Sequence, residues 1–234
     1  MMAHLLAHDA ADQEFARRLA ARLADAGAVV WLGQGGRETG EPLGAELRGS
    51  VAAAGPSLVV VSKSSVASDW LNALALDRAT VPVAIDACEL PGALADAAVA
   101  DFRDPDRFEA AVEGLIERLD LPAGARSGVA IEWTDAGPGI FARGVDIPPS
   151  EGRALLDSWR ALLPDLVARQ KESGPGAEEV GPAANLLAVT RAFGDRYGRV
   201  PAPLELAAGT SELARKFDVL YVFFNLLYEH AAPT

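Results

Sequence analysis

The hydrophobic positions of the first 120 residues alternate between short continuous runs and stripes at helical spacing. The runs are MAHLLAH (2–8), AVVWL (28–32), SLVVVS (57–62) and VPVAID (81–86). After the first run, Phe15, Leu19 and Leu23 recur every four residues, which predicts one face of a helix ending at Gly27. Apolar runs without alternation are typical of strands buried on both faces, so this half predicts a parallel sheet covered by helices.

Further helices complete this alternation. Leu43, Leu47 and Val51 form a second stripe, and the segment 104–121 predicts a helix with Asp104 or Asp106 near its N-terminal end. The resulting α/β architecture is flavodoxin-like, with four or five parallel strands. Its ligand site is expected at the carboxyl ends of the strands.

The pattern changes after the Pro/Gly-rich junction LPAGARSG (121–128). Two β-type runs around Ala-Gly-Pro-Gly predict a hairpin within 129–147, followed by a helix from Ser150 that Pro164 kinks or ends early. A loop (171–182), a short helix ending at Gly198 and a linker (199–209) come next. We therefore predict two domains, a sheet domain (1–122) and a smaller, mostly helical unit with a β-hairpin (123–234).

The last predicted helix begins at Thr210 or Ser211 and carries a wide apolar face. Its positions are Leu213, Phe217, Leu220, Tyr221, Phe224, Leu227 and Tyr228. Such a face must pack against something, either the core of the second domain, with Phe217, Leu220 and Phe224 against the 150–170 helix, or a partner.

Composition and charge exclude several classes of function. The net charge is −12, with 33 acidic against 21 basic residues, so a nucleic-acid-binding surface is not expected. Cys88 is the single cysteine and the three histidines are scattered, which predicts no disulfide and no metal site. The longest apolar stretch (219–228) is too short to span a membrane, and we expect a cytoplasmic protein.

Five segments in a fixed order make the first 120 residues resemble a TIR domain of the bacterial kind. They are the helix start from Asp12 to Phe15, the Val-Val-Trp-Leu strand, the turn from Gly40 to Leu43, the Ser-Lys-Ser loop, and Trp70 after Ser68. The resemblance is degenerate, and residues 125–234 resemble no family that we recognise. Abundant Ala and Arg with three Lys are typical of a GC-rich bacterial genome.

The resemblance implies either assembly in signalling scaffolds or cleavage of NAD. In the NAD-cleaving members a Glu lies four residues after the Trp, and here that position is Leu74. Asp77 is the nearest acid on this helix and is the fallback for the missing carboxylate. At the end of the first strand, His8 and Asp9 replace the aromatic residue and the Ser of active members, and Asp9 is expected to cap the following helix.

The resemblance also assigns the glycine-rich loop GQGGRETGEP (33–42), with Arg37 and Gly40, to subunit docking and to gating of a nucleotide pocket near Trp70. A flexible surface loop without a ligand is the alternative. We predict an interaction module of a bacterial signalling or defence system, with no cofactor and a protein partner or self-association. The alternative is a NAD glycohydrolase or nucleotide-binding enzyme that uses Asp77 or a carboxylate from a partner.

Overall fold

The computed structural model describes residues 3–34, 55–71, 79–121, 128–172 and 177–231. The chain divides into two compact units, residues 1–133 and 134–234. Each unit is described by itself.

The first unit is built on a parallel sheet. Its strands are β1 (Ala3–His8), β2 (Val29–Gln34), β3 (Ser57–Val61), β4 (Thr80–Ala84), β5 (Ala100–Asp101) and β6 (Val129–Thr134), which lie side by side in the order β5-β4-β3-β1-β2-β6. Every pairing among these six strands is parallel. The described helices of this unit are α1 (Gln13–Asp25) and α2 (Phe108–Arg118), with Asp69, Trp70 and Leu71 at the start of another.

The central strands are buried on both faces, as their uninterrupted apolar runs predict. All five residues of β3 are buried, and Leu19 and Leu23 of α1 are fully buried against the sheet side. Phe15 of α1 lies edge-on to Phe102 and Phe108, with ring centroids 5.5 and 6.0 Å away. The predicted α/β, flavodoxin-like class is therefore confirmed.

The strand β6 differs from the sequence prediction. We expected Val129–Thr134 to open a hairpin in the second domain, but it pairs in parallel with β2, Val29 facing Val129 and Leu32 facing Glu132. The hairpin itself is present, since the chain turns at Asp135 and Ala136 and enters a further strand at Gly137, but local alternation does not reveal that Val129–Thr134 also pairs with β2. The compact units accordingly divide after Trp133 rather than near residue 122, and independent folding of the two units stays a prediction.

The described residues of the second unit form a short hairpin and four helices. The strands β7 (Gly137–Ala142) and β8 (Val145–Ile147) are antiparallel, and the helices are α3 (Pro149–Glu172), α4 (Ala177–Tyr197), α5 (Pro203–Ala208) and α6 (Glu212–Ala231). The chain turns at Asp135 and Ala136, beside the predicted Ala-Gly-Pro-Gly, and turns again at Arg143 and Gly144 between β7 and β8.

Three helix boundaries in this unit also differ from the prediction. The helix α3 continues through Pro164, which is exposed, so water can bond the carbonyl that Pro164 leaves without an N–H partner. The helix α4 begins at Ala177, inside the predicted loop. The predicted linker contains α5, where Pro203 stands at the first position and the Glu205 carboxylate accepts from the Ala202 N–H at 2.9 Å.

The apolar face of α6 forms the core of the second unit. Phe217, Leu220, Phe224 and Leu227 are all buried. Phe224 stacks on Trp159 of α3 with ring centroids 5.2 Å apart, as predicted, and Phe217 lies edge-on to Phe193 of α4 at 5.1 Å. The core interpretation of this helix is confirmed, and Ser211 caps it by accepting from the Ala214 N–H at 3.1 Å.

Candidate functional site

The candidate site lies at the carboxyl ends of β1, β3 and β4 in the first unit. The chain runs from β1 outward to β2 on one side and to β3 on the other, so the strand order reverses at β1. Ligands of open parallel sheets bind at such a reversal, beside the loops that follow the strands. Here those loops carry Asp9, the segment 62–65 and Asp86.

Asp12 is a buried carboxyl group at this edge, with 9% of its surface exposed. The Ser62 hydroxyl donates to Asp12 Oδ2 at 2.6 Å and accepts from the Ser65 N–H at 3.1 Å. The Ser62 N–H donates in turn to Ser65 Oγ at 2.8 Å. These bonds join the entry of α1 to the loop after β3, across the neighbouring strands β1 and β3.

Burial raises the pKa of the Asp12 carboxyl above its ordinary value. The hydrogen bond from Ser62 opposes this shift, whereas the negative charges of Asp9 and Asp86 add to it. The described part of this edge therefore brings the carboxyl groups of Asp9, Asp12 and Asp86 close enough to influence one another.

Asp9 and His8 are engaged within the chain. The Asp9 carboxylate accepts from the Ala11 N–H at 3.1 Å and caps the 3-10 turn Ala10–Asp12 that leads into α1, which confirms the capping interpretation. His8 is buried, and its Nδ1–H donates to the Asp9 carbonyl oxygen at 2.9 Å.

Asp86, at the end of β4, closes the other side of the edge. Its Oδ2 accepts from the Lys63 N–H at 3.0 Å, which ties the loop after β4 to the loop after β3. Cys88 follows as a free, half-buried thiol, and burial together with Asp86 raises its pKa. A raised pKa keeps the thiol protonated at neutral pH, so Cys88 is a poor nucleophile.

Trp70 has a packing role in the described part of the site. It is half-buried against an apolar cluster formed by Ala7, Val59, Val61, Leu71 and Leu94. Its Nε1–H is buried and has no hydrogen-bond partner among the described residues. Trp70 thus anchors the start of its helix on the sheet.

The other residues predicted for the site lie outside the described residues. Arg37 and Gly40 belong to the segment 35–54, and Leu74 and Asp77 belong to the segment 72–78. Among the described residues no group of three or more His, Cys, Asp or Glu side chains could hold a metal ion. Within the same ranges no helix is long and apolar enough to cross a membrane.

Sequence reasoning missed the hydrogen bond between Asp12 and Ser62. Asp12 and Ser62 are 50 positions apart, and the sequence pattern identifies Asp12 only as part of a helix start. The available signal was the position of each residue next to a strand predicted to be central, since the carboxyl ends of neighbouring parallel strands meet at one edge.

A second polar surface lies beyond β5. A groove of about 400 Å³ is lined by Asp101, Arg103, Asp104 and Arg107. The Arg103 guanidinium donates to both carboxylate oxygens of Asp101, at 2.8 and 2.6 Å, and lowers the pKa of that carboxyl to about 2. The two charges compensate one another, so this groove offers little net attraction for an ion.

The comparison with protein families matches the first unit. The family described as TIR domain matches residues 5–116, which confirms the resemblance of the N-terminal half. The matched range includes β1 to β5, α1 and α2, and ends before β6. No curated protein matches the chain.

Proposed function

We propose that this protein is an interaction module of a bacterial signalling or defence system. Residues 5–116 match the TIR domain family, and a TIR domain is in general a signalling or NAD-cleaving module. The protein acts by self-association or by binding a protein partner, in the cytoplasm, and does not cleave NAD. The observation that carries the proposal is Leu74, at the position where the resemblance places a catalytic Glu.

The chemistry of the reaction explains why this position matters. Cleavage of a nicotinamide glycoside passes through an oxocarbenium-like state, which a carboxylate near the ribose stabilises. A leucine side chain offers neither a charge nor a lone pair. Loss of one preorganised electrostatic group costs about a hundredfold to a thousandfold in rate in other enzymes.

The acids at the described sheet edge support the same proposal, since each already holds a hydrogen bond within the chain. Asp9 caps a turn, Asp12 accepts from Ser62, and Asp86 accepts from the Lys63 N–H. Each of these acids therefore has a structural role at the described sheet edge that needs no substrate.

The activity test is incubation of concentrated full-length protein with NAD, followed by detection of nicotinamide and ADP-ribose. We expect no turnover above background for the native chain. Turnover comparable to that of an active TIR enzyme would refute the proposal. If Asp77→Ala removed weak turnover, the alternative of a NAD glycohydrolase with a displaced carboxylate would be favoured.

The assembly test compares light scattering of the native chain with that of Arg37→Ala, in the glycine-rich loop. We expect concentration-dependent association that Arg37→Ala weakens without changing the thermal melt. The matched control is Arg191→Ala, which removes an exposed arginine of the second unit. Equal association of all three proteins would contradict a docking role for the loop.

A further inference from the structure

His4 is a buried histidine near the start of β1, at the end of the strand opposite to the candidate site. Its side chain has no exposed surface. The Nδ1 atom lies 3.2 Å from the carbonyl oxygen of Pro56, the residue before β3. Because a carbonyl oxygen can only accept, Nδ1 carries the proton of the neutral ring and Nε2 carries a lone pair. This contact therefore selects one tautomer of His4.

The second ring nitrogen of His4 has no place for a proton. Nε2 is buried and has no hydrogen-bond partner among the described residues. A proton added to Nε2 would create a buried donor without an acceptor and a buried positive charge, and both oppose folding. Burial accordingly lowers the pKa of His4 below its ordinary value of 6.5, although the bond to the Pro56 carbonyl opposes the shift.

The described surroundings of His4 offer no charge that would compensate for its protonation. His4 pairs with Val30 of β2, so both side chains lie on the sheet face that α1 and the neighbouring α2 cover. The buried residues of these two helices are all apolar. Their charged residues Arg22 and Glu109 pair with one another at the surface. Glu132 shares this face, but it lies two strands away from His4 and binds α1.

The backbone next to His4 joins the start of β1 to the segment before β3. The Gly55 N–H donates to the Ala3 carbonyl oxygen at 2.8 Å. The ring of His4 packs against the same segment, since a Cβ placed on Gly55 would lie 3.5 Å from His4 Cε1. The neutral ring thus contributes to the junction of β1 and β3, which are neighbouring strands inside the sheet.

We propose that His4 is a proton-sensitive contact, whose neutral ring stabilises the junction of β1 and β3 and whose protonation destabilises the first unit. Below the ordinary pKa of 6.5 the unfolded chain binds a proton at His4, whereas the folded chain binds it only at a lower pH. The stability of the first unit therefore falls as the pH falls through this window. The proposal concerns the edge opposite to the candidate site, so it does not depend on NAD cleavage or on the glycine-rich loop.

The test compares the pH dependence of unfolding in three full-length chains. His4→Asn supplies an amide N–H in place of Nδ1–H and does not titrate. The matched control, His230→Asn, removes a histidine of α6 in the second unit. Unfolding of the first unit is measured from about pH 7.5 to about pH 5 by urea denaturation, with hydrogen exchange of the β1 and β3 peptides corrected for the intrinsic rate at each pH.

The expected result is a pH dependence that His4→Asn loses and His230→Asn keeps. Uptake of one proton on unfolding lowers the folding constant by up to about tenfold for each pH unit. The folding constant of the native chain should therefore fall relative to that of His4→Asn as the pH falls below about 6.5. An equal pH dependence of the native chain and His4→Asn would overturn the proposal.

A measurement on the native chain covers the case in which His4→Asn fails to fold. Nuclear magnetic resonance of chains labelled with ¹⁵N in the histidine rings reports the tautomer and the charge of each ring. We expect His4 to carry its proton on Nδ1 and to titrate below its ordinary value of 6.5. A proton on Nε2, or a titration midpoint at or above that value, would refute the proposal.

Discussion

Phe224→Ala tests what holds the second unit together. Phe224 is 1% exposed and lies between two aromatic neighbours. Its ring stacks on Trp159 at 5.2 Å with an interplanar angle of 27°, and Phe223 lies edge-on to it at 5.1 Å. Truncation removes these contacts and leaves a cavity between α3 and α6.

The expected loss follows from burial and geometry. Replacement of a fully buried Phe by Ala costs about 3–5 kcal/mol, because the lost transfer free energy adds to the cost of the cavity. A domain of ordinary stability has about 5–15 kcal/mol in total. We therefore expect the melting temperature of the second unit to fall by more than about 10 °C.

Thermal melts by circular dichroism, with light scattering on the same samples, measure this effect. Leu204→Ala is the control, because Leu204 is an apolar residue of the same unit with 84% of its surface exposed, and its truncation should change stability by less than about 0.5 kcal/mol. If the melting temperature of Phe224→Ala equalled that of Leu204→Ala, the assignment of Phe224 to the hydrophobic core would be refuted. If association also stayed unchanged, a partner-binding role would be refuted as well.

Two further substitutions test close packing and buried charge. In Gly181→Ala the added Cβ would overlap the Tyr228 hydroxyl, so this variant should unfold at a lower denaturant concentration than the native chain. The control Gly114→Ala has free space around the added Cβ and should gain up to about 1 kcal/mol of stability from helix propensity. A stabilised Gly181→Ala would contradict the packing of α4 on α6. Because its folded pKa is raised, Asp12 binds more protons in the folded chain between its unfolded pKa near 3.8 and the folded value, so its contribution to stability falls as pH rises through that window. The free energy of unfolding of Asp12→Asn should equal that of the native chain below this pH window and exceed it above the window, as measured by urea denaturation across pH. An equal difference in free energy at every pH would contradict the raised pKa.

The sequence predicted the elements whose burial is set locally. The runs that became β1 and β3 are mostly apolar, and the apolar positions of α1 recur on one helix face, so each pattern has one favourable structural solution. The end of α1 at Gly27 also agrees, because its φ of 101° suits glycine in a helix-ending turn. These features depend on neighbours within about one helical turn.

The prediction was incomplete where a distant partner decides the structure. The residues of β6 alternate no differently from those of a surface hairpin, and only β2, about 100 positions earlier, makes them central. The helix α5 is a different case, since Pro203 at its first position, Glu205 and the C-terminal Gly209 are local signals that could have identified it.

The candidate site shows the same division between local and distant information. Leu74 can be interpreted from the sequence because the resemblance supplies its spacing from Trp70 along one helix. The acidic residues of the edge are a different case, because Asp9 and Asp12 follow β1 whereas Asp86 follows β4, and they meet only in the folded sheet. Leu74→Glu therefore tests only the part of the interpretation that local spacing supplies, because the three acids are brought together by the sheet and not by any spacing along the chain.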